Sequence, residues 1–178
     1  IHYRAHFVGK LAPRAAQIQR DFSGDREELT LSYQTVGTVR NPLGPTVSIY
    51  EDLRAHQDSH RRAELEARSC LSGPHKDDLA AWIDGQPARQ FASQGQTRTA
   101  ALSLKLAERE LFEDDTGQWP VLLLDDVLSE LDARRQDFVL DRITGGQVFI
   151  TSCEAPAGEI SRGKILHIHQ GALVDSPN

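Results

Sequence analysis

An apolar run that ends in two adjacent acids, "VLLLDD" at residues 121–126, constrains the fold more than any other stretch of this sequence. Val121 to Leu124 is apolar at every position, which is typical of a central parallel strand covered on both faces. The pattern after it predicts a helix from about Glu130 to Ile143. Two glycines at 145 and 146 then lead into a second strand, "QVFITS". This order predicts a βαβ unit and a fold of the α/β class.

The first 70 residues carry the pattern of two helices around a strand. Apolar residues recur at spacings of three and four, which predicts an amphipathic helix: Phe7, Leu11, Ala15, Ile18 and Phe22. Leu29, Leu31 and Tyr33 alternate with polar residues, as in a half-buried strand. "RNPLGP" at residues 40–45 predicts a loop, because prolines and glycine interrupt regular structure. Residues 48–69 are rich in both signs of charge and predict an exposed helix.

The composition changes at "SGPHKDD", residues 72–78, and a hairpin is predicted after it. Its first strand runs from Leu79 to Ile83, Asp84–Gly85 forms the turn, and the return strand runs through Arg89 to Phe91. "SQGQTR" then opens a helix that "EDDTGQWP" breaks. "KILHIH" and "ALVD" are predicted short strands around Gly171.

The composition favours a cytoplasmic protein and leaves its partners open. The formal net charge of -6 is not typical of a nucleic-acid-binding protein, although a local patch matters more than the sum. Short apolar runs predict no transmembrane span, and the charged start predicts no signal peptide. Cys70 and Cys153 are too few for a disulfide framework and favour a reducing compartment. Because the chain begins at Ile1 rather than methionine, we expect a fragment of a longer protein.

Asp125 and Asp126 are the first candidate site. Carboxylates at the carboxyl end of a buried strand are where phosphate-handling α/β proteins hold Mg²⁺, and a second acid can orient or activate a water molecule. The alternative is that both acids stabilise the start of the following helix. Two acids directly after four apolar residues leave these interpretations evenly balanced.

The second candidate is "FASQGQTR", residues 91–98, just before a long helix. Gly95 would allow close approach to a ligand, the helix N-terminus favours an anion, and Ser93 can donate to a phosphate oxygen. The alternative is a capping box formed by Ser93 and Gln96. From these residues alone the capping box is favoured.

The order and spacing of the two candidates resemble the ATP-binding heads of the ABC class, and within that class the RecF family of bacterial recombination and repair proteins. "ASQGQ" is similar to the signature motif, "VLLLDD" to the Walker B strand, and "SELD" at residues 129–132 to the D-loop. With "GPHKDDL", the strong match covers about residues 71–153. The resemblance implies that residues 71–178 are the C-terminal half of an ATP-binding lobe and residues 1–70 part of a helical second lobe.

The resemblance also implies roles for single residues. Asp125 would hold Mg²⁺, and Asp126 would take the place of the catalytic carboxylate, which is glutamate in most ABC proteins. The shorter aspartate implies slow hydrolysis. The signature residues would contact ATP held by the opposite subunit: Ser93, Gln94, Gly95 and Gln96. Ser129 and Asp132 would lie at the dimer interface.

Two departures from the family pattern matter. "VFITSC" ends without the switch histidine of many ABC proteins, and no G-x-x-x-x-G-K-[ST] loop occurs in the 178 residues. Half of the phosphate site is therefore missing, so this chain alone is expected to be inactive and to leave an exposed strand edge. In the intact protein the resemblance implies a weak DNA-dependent ATPase whose ATP-driven homodimer clamps DNA at gaps or junctions. Its implied partners are RecR, with RecO, in recombinase loading and the SOS response, with no membrane involved.

Three alternatives stay open from the residues. Asp125–Asp126 could serve a Mg²⁺-dependent nuclease or phosphohydrolase, which would need further acids on neighbouring strands. The chain could be another SMC-like ATPase head. Residues 48–69 could form a non-enzymatic interaction module. On that predicted helix, His56 and His60 have a spacing that can bind metal, although a solvated face is favoured.

Overall fold

The computed structural model describes residues 1–153 and 163–174, which fall into two compact units. The first unit contains Ile1–Pro120 together with Gly145–Gln147. The second contains Val121–Thr144 and the described residues from Val148 onward. The predicted division at residue 70 concerns the lobes of an intact ATPase head, and it stays a prediction.

Helices and strands are interspersed along the described residues, and the mixture agrees with the predicted α/β class. The helices are α1 (His2–Ser23), α2 (Thr46–Ala67), α3 (Ala88–Phe91), α4 (Gln94–Thr116) and α5 (Ala133–Arg142). The strands are β1 (Leu29–Gln34), β2 (Asp78–Ile83), β3 (Gln86–Pro87), β4 (Leu122–Asp125), β5 (Val148–Thr151), β6 (His167–His169) and β7 (Ala172–Val174). Short 3₁₀ turns lie at Pro74–Lys76 and Leu128–Glu130. Among the described residues, no helix is both long and apolar enough to span a bilayer.

The core of the first unit lies where α1 packs on α4 and β1. The predicted apolar face of α1 is buried except at Phe7, which is 41% exposed. The two helices run antiparallel, since Lys10 pairs with Asp115 at 3.0 Å, whereas the buried Gln19 accepts a hydrogen bond from Ser103 at 2.9 Å. Arg14 also pairs with Asp114. These pairs explain why α4 continues through "EDDT", where a break was predicted, and ends only at Gly117 with φ of 71°.

An antiparallel sheet in the order β1-β2-β3 completes the first unit. The predicted turn at Asp84–Gly85 is confirmed, with positive φ angles of 51° and 75° that suit a two-residue hairpin. The predicted return strand to Phe91 is wrong beyond Pro87. Proline lacks the N–H needed to extend a ladder, and Ala88–Phe91 turns into α3, where the N–H of Ala92 donates to the carbonyl of Ala88 at 3.1 Å.

Trp119 fixes the Gly145–Gly146 segment within the first unit. The guanidinium of the buried Arg109 lies 4.2 Å from the centre of the Trp119 ring and donates to the carbonyl of Gly145. A methyl group on Gly145 or Gly146 would come within 2.7 or 2.6 Å of Trp119. Both positions also have positive φ, so glycine is required there on two grounds.

The second unit contains the predicted βαβ arrangement. Strands β4 and β5 are parallel, with Leu122 opposite Val148 and Asp125 opposite Thr151. Helix α5 lies between them in the chain but starts at Ala133, later than predicted, because the chain first forms a 3₁₀ turn. The predicted short strands around Gly171 are present as β6 and β7, which pair antiparallel. Strand β6 begins at His167, later than the predicted "KILHIH", and Asp175 of the predicted "ALVD" strand lies outside the described residues.

Strand β4 is not covered on both faces, and this part of the prediction is wrong. Leu124 is 4% exposed, whereas Leu123 is 70% and Phe149 of β5 is 50% exposed. Within the described part of the chain, β4 pairs with β5 alone. The exposed strand edge expected of a partial ATP-binding lobe is therefore present.

Candidate functional site

Asp125 and Asp126 lie at the carboxyl end of β4, and Thr151 holds both. The Thr151 hydroxyl donates to Oδ1 of Asp125. The backbone N–H of Asp126 lies 3.1 Å from both the hydroxyl and the carbonyl oxygen of Thr151. Asp126 has a φ of 53°, a conformation that aspartate tolerates better than most residues. The chain therefore turns sharply between the two acids, with the turn fixed by the neighbouring strand.

Ser129 joins the predicted D-loop to the predicted catalytic acid. Its hydroxyl lies 2.8 Å from Oδ1 and 2.9 Å from the carbonyl oxygen of Asp126. The structure thus brings Asp125, Asp126 and Ser129 into one hydrogen-bonded group, with Thr151 as its fourth member. One oxygen of Asp126 is held by this serine.

The start of α5 is capped by Asp132 and not by the acids after β4. Oδ1 of Asp132 accepts the backbone N–H of Arg135 at 2.9 Å. The side-chain amide of Gln136 donates to the carbonyls of Leu128 and Leu131, at 2.8 and 3.0 Å, and closes the turn between them. The capping alternative for Asp125–Asp126 is therefore not the arrangement observed.

Both acids after β4 are exposed, and their chemistry fits a hard cation. Mg²⁺ binds oxygen donors and commonly uses one or two carboxylates together with water and substrate phosphates. Residues 1–153 and 163–174 contain no group of three or more His, Cys, Asp or Glu side chains that could hold a metal ion. A cation at Asp125 would therefore need oxygen ligands from water and a bound phosphate.

The second candidate site begins α4 in the first unit. Ser93 and Gln96 form the predicted capping box: Oγ of Ser93 accepts the N–H of Gln96 at 3.2 Å, and Oε1 of Gln96 accepts the N–H of Ser93 at 2.9 Å. Behind them, the hydroxyls of Thr97 and Thr99 donate to the carbonyls of Ser93 and Gly95. The first turn is thereby fixed by local bonds.

The capping box leaves hydrogen-bond donors at the start of α4 that can bind an anion. Ser93, Gln94 and Gly95 are exposed. The first N–H groups of a helix have no intrahelical acceptor, so those of Gln94 and Gly95 are directed outward. The Ser93 hydroxyl accepts from Gln96 and keeps its own hydrogen for a ligand. A cap and a phosphate contact are compatible at this serine.

"SGPHKDD" contributes a buried carboxylate to the first unit. The side chain of Asp77 is 1% exposed and lies 4.0 Å from the guanidinium of Arg4. The hydroxyl of Tyr33 donates to Asp77. Burial, followed by this hydrogen bond and the negative charge, raises the pKa of Tyr33 to about 12. The segment thus fastens the start of α1 to β1.

Sequence reasoning missed Thr151 and Gln136. Thr151 could have been found, because parallel pairing puts the ends of β4 and β5 at one sheet edge. Gln136 carried no signal, since its partners are backbone carbonyls in a turn that was predicted as helix.

The chain matches proteins described as DNA replication and repair protein RecF along nearly all of its residues. It is 41% identical to that of Staphylococcus epidermidis over 175 residues and 39% identical to that of Bacillus subtilis over 182 residues. Both matches cover 96% of this chain. This chain is RecF-like. It spans 47% of the length of either relative. No family model matches the chain.

Solved structures show the same RecF-like fold. One is described as the recombination mediator protein RecF-ATP in the RecFOR pathway, with a TM-score of 0.79 and 34% identity over 97% of this chain. A second, described as RecF-ATPrS in that pathway, has the same TM-score and 32% identity. This chain covers 45% of each of those chains. The predicted resemblance to RecF is confirmed.

Proposed function

We propose that this RecF-like chain is part of an ATP-dependent DNA-binding repair and replication protein, in which ATP joins two copies into a clamp on DNA. The observation that carries this proposal is the pair of exposed acids after β4, fixed by Thr151 and Ser129. Similarity to RecF structures described with ATP supports it. The 178 residues contain no G-x-x-x-x-G-K-[ST] loop, and the remainder of the site is proposed to come from a further lobe of the intact protein.

The acids after β4 are proposed to divide two tasks. Bound Mg²⁺ would supply charge neutralisation for the phosphates. Asp125 would hold it, with its Oδ1 kept in position by the Thr151 hydroxyl. Asp126 would orient the attacking water through the oxygen that Ser129 does not hold. With one of its oxygens held by Ser129, this short side chain would place the water less well than a glutamate would, and slow hydrolysis is proposed.

The start of α4 is proposed to bind the γ-phosphate of ATP held by a second copy. Ser93 would donate its hydroxyl, and the N–H groups of Gln94 and Gly95 would face the phosphate. Gln96 would have one of two roles. Its side chain would contact the phosphate once its hydrogen bond to the N–H of Ser93 is broken, or it would keep that bond while Ser93, Gln94 and Gly95 bind the phosphate. Ser129 and Asp132 would line the interface between the copies.

Dimerisation would combine two surfaces that bind DNA weakly when separate. DNA affinity comes largely from phosphate neutralisation, so two modest basic surfaces would add when the copies join, although the net charge of this chain is -6. DNA at gaps or junctions is the proposed target, with RecR and RecO as partners in loading a recombinase.

Sedimentation equilibrium with and without ATP tests the proposal. This chain would replace the matching segment of the Bacillus subtilis RecF, to which it is 39% identical. We expect the chimera to be monomeric without nucleotide and dimeric with ATP, and the chain alone to bind ATP poorly. Ser93→Arg should abolish the ATP-dependent dimer, because a long side chain would fill the phosphate position.

Ser48→Arg, at an exposed serine of α2, is the matched control and should leave the dimer intact. A dimer that forms regardless of nucleotide and of Ser93→Arg would contradict the sandwich arrangement. Mg²⁺-dependent cleavage of gapped DNA that disappears in Asp125→Asn would instead favour the nuclease alternative.

A further inference from the structure

Helix α2 is exposed along most of its length. Of its 22 residues, all of which the structure describes, only Ile49 is buried. The inner side of α2 also contacts the loop that follows it. Nδ1 of His56 lies 2.7 Å from the hydroxyl oxygen of Ser72, and Glu64 accepts the backbone N–H of Leu71 at 2.7 Å. Because most helical stability in proteins comes from packing, a long helix that packs on so little of its own chain favours contact with another molecule.

One face of α2 carries six exposed residues at alternating spacings of four and three. We call this face the α2 stripe, and it consists of Val47, Glu51, Arg54, Asp58, Arg61 and Leu65. The spacings place all six within about 80° around the helix axis, on the side opposite the buried Ile49. Val47 is 68% exposed and Leu65 is 73% exposed. The stripe is therefore apolar at its two ends and charged between them.

The charged side chains of the α2 stripe form no ion pair or hydrogen bond within the part of the chain that the structure describes: Glu51, Arg54, Asp58 and Arg61. Beside the stripe, Arg62 pairs with Glu66 at 2.9 Å. Arg54 and Asp58 have the same spacing of four residues as that pair and could bond within the helix, but they do not. The four charges are therefore available to another molecule.

The order of residues along the α2 stripe is complementary to itself when reversed. From its N-terminal end the stripe is apolar, acidic, basic, acidic, basic and apolar. Two antiparallel copies would therefore bring matching partners together, each pair occurring twice: Val47 with Leu65, Glu51 with Arg61, and Arg54 with Asp58. A shift by seven residues would instead place Leu65 opposite Arg54, or Asp58 opposite Val47. The charges thus favour a single register.

We propose that the α2 stripe is a two-fold contact between two copies of this chain, with antiparallel helices and no need for nucleotide. The charged pairs would select the partner and the register, and Val47 and Leu65 would add apolar contact at both ends. Two helices cover less area than a standard interface of about 1,600 Å². The contact is therefore weak and forms at protein concentrations well above those at which ATP is proposed to join two copies. Together the two contacts would link ATP-joined pairs to one another, and this consequence alone rests on the proposed function.

Exchange of the charges tests the contact directly. Glu51→Arg with Asp58→Arg makes all four charges of the stripe basic, and Arg54→Glu with Arg61→Glu makes them all acidic. We expect each double variant of the 178-residue chain to lose self-association in sedimentation velocity without nucleotide, because like charges would face one another. Mixing the two variants should restore association, about tenfold or more stronger than in either variant alone.

Ala55→Glu with Ala63→Glu is the matched control, because both alanines are exposed on α2 outside the stripe. This variant should associate like the original chain, and circular dichroism should show equal helix content in every variant. Association that is absent from the mixture, or equal in the mixture and in each charge variant alone, would overturn the proposal. The exposed edge of β4 would then be the surface to examine.

Single cysteines test the antiparallel orientation. In a chain carrying Cys70→Ser and Cys153→Ser, Val47→Cys mixed with Leu65→Cys should give disulfide-linked dimers on oxidation. Neither variant should do so alone, since two copies of residue 47 would lie about 27 Å apart along antiparallel helices, beyond the reach of a disulfide. Linked dimers from Val47→Cys alone, and not from the mixture, would indicate parallel helices and overturn the proposal.

The chimera with the remainder of the Bacillus subtilis RecF separates this contact from the proposed ATP-dependent dimer. Without nucleotide, mixing the basic and acidic variants should still cause association, even in chimeras that carry Ser93→Arg. With ATP, each charge variant should keep the dimer that Ser93→Arg abolishes, and failure of that dimer alone would contradict only the proposed function. Association on mixing that occurs in the 178-residue chain but not in the chimera would overturn the α2 contact, because the rest of the protein would then cover the stripe.

Discussion

The start of α4 and the turn after β4 are both candidate phosphate-handling regions, and they are held in place in opposite ways. At α4, Ser93 and Gln96 bond to one another across three residues. After β4, Asp125 and Asp126 depend on Thr151, which lies 26 and 25 residues further along the chain, respectively. The first arrangement belongs to a single helix start and the second to a pair of strands. Damage to the two regions should therefore have different consequences.

The largest expected effect is on chemistry at the turn after β4. In the chimera, Asp126→Asn should slow ATP hydrolysis on the order of 10²- to 10⁴-fold, because the amide cannot accept a proton from water. Asparagine tolerates positive φ, so the turn and the ATP-dependent dimer should persist. ATPase rates and sedimentation measure the two properties separately.

Asp137→Asn, at an exposed acid of α5, is the control for Asp126→Asn and should hydrolyse ATP normally. An Asp126→Asn chimera with full activity would remove Asp126 from the catalytic role. Loss of hydrolysis in both variants would indicate a general effect of charge.

A smaller effect separates capping from phosphate binding at α4. Ser93→Asp keeps a good N-cap residue, so the free energy of unfolding should change little. Its negative charge would repel a phosphate, and the ATP-dependent dimer of the chimera should weaken at least tenfold. Ser93→Ala should instead lower the free energy of unfolding by about 1 kcal/mol. Urea unfolding and sedimentation distinguish these outcomes, and a dimer unaffected by Ser93→Asp would limit Ser93 to capping.

The smallest expected effect tests whether the hydroxyl of Thr151, on the neighbouring strand, keeps Asp125 and Asp126 in position. Thr151→Val keeps the shape of the side chain but removes the hydroxyl that contacts Asp125 and Asp126, at a cost of about 1 kcal/mol. The amide of Asp126 should exchange its hydrogen faster, while that of Gln96 should not change. Thr151→Ser should restore protection, and equal exchange in all three proteins would show that the backbone carbonyl of residue 151 suffices.

Features that form between residues close together in the chain were predicted correctly, because the residues that cause them lie within a few positions of one another. The capping box depends on residues three apart, and the Asp84–Gly85 turn on two residues that tolerate positive φ. The end of α4 was misjudged, since Asp114 and Asp115 are held by cations of α1 about a hundred residues earlier. The return strand failed for a local reason that was overlooked, the missing N–H of Pro87.

The sequence by itself determined the order of the strands and the long helices, the α/β class, the capped start of α4 and the presence of two acids after an apolar strand. Periodicity and chemistry within a few residues decide these features. Only the tertiary structure decided that Thr151 fixes the acids, that Ser129 holds Asp126, and that Leu123 stays exposed. The physical reason is that these properties depend on which distant strand lies alongside β4 and on which surfaces this chain can cover. Periodicity along the chain carries no information about either.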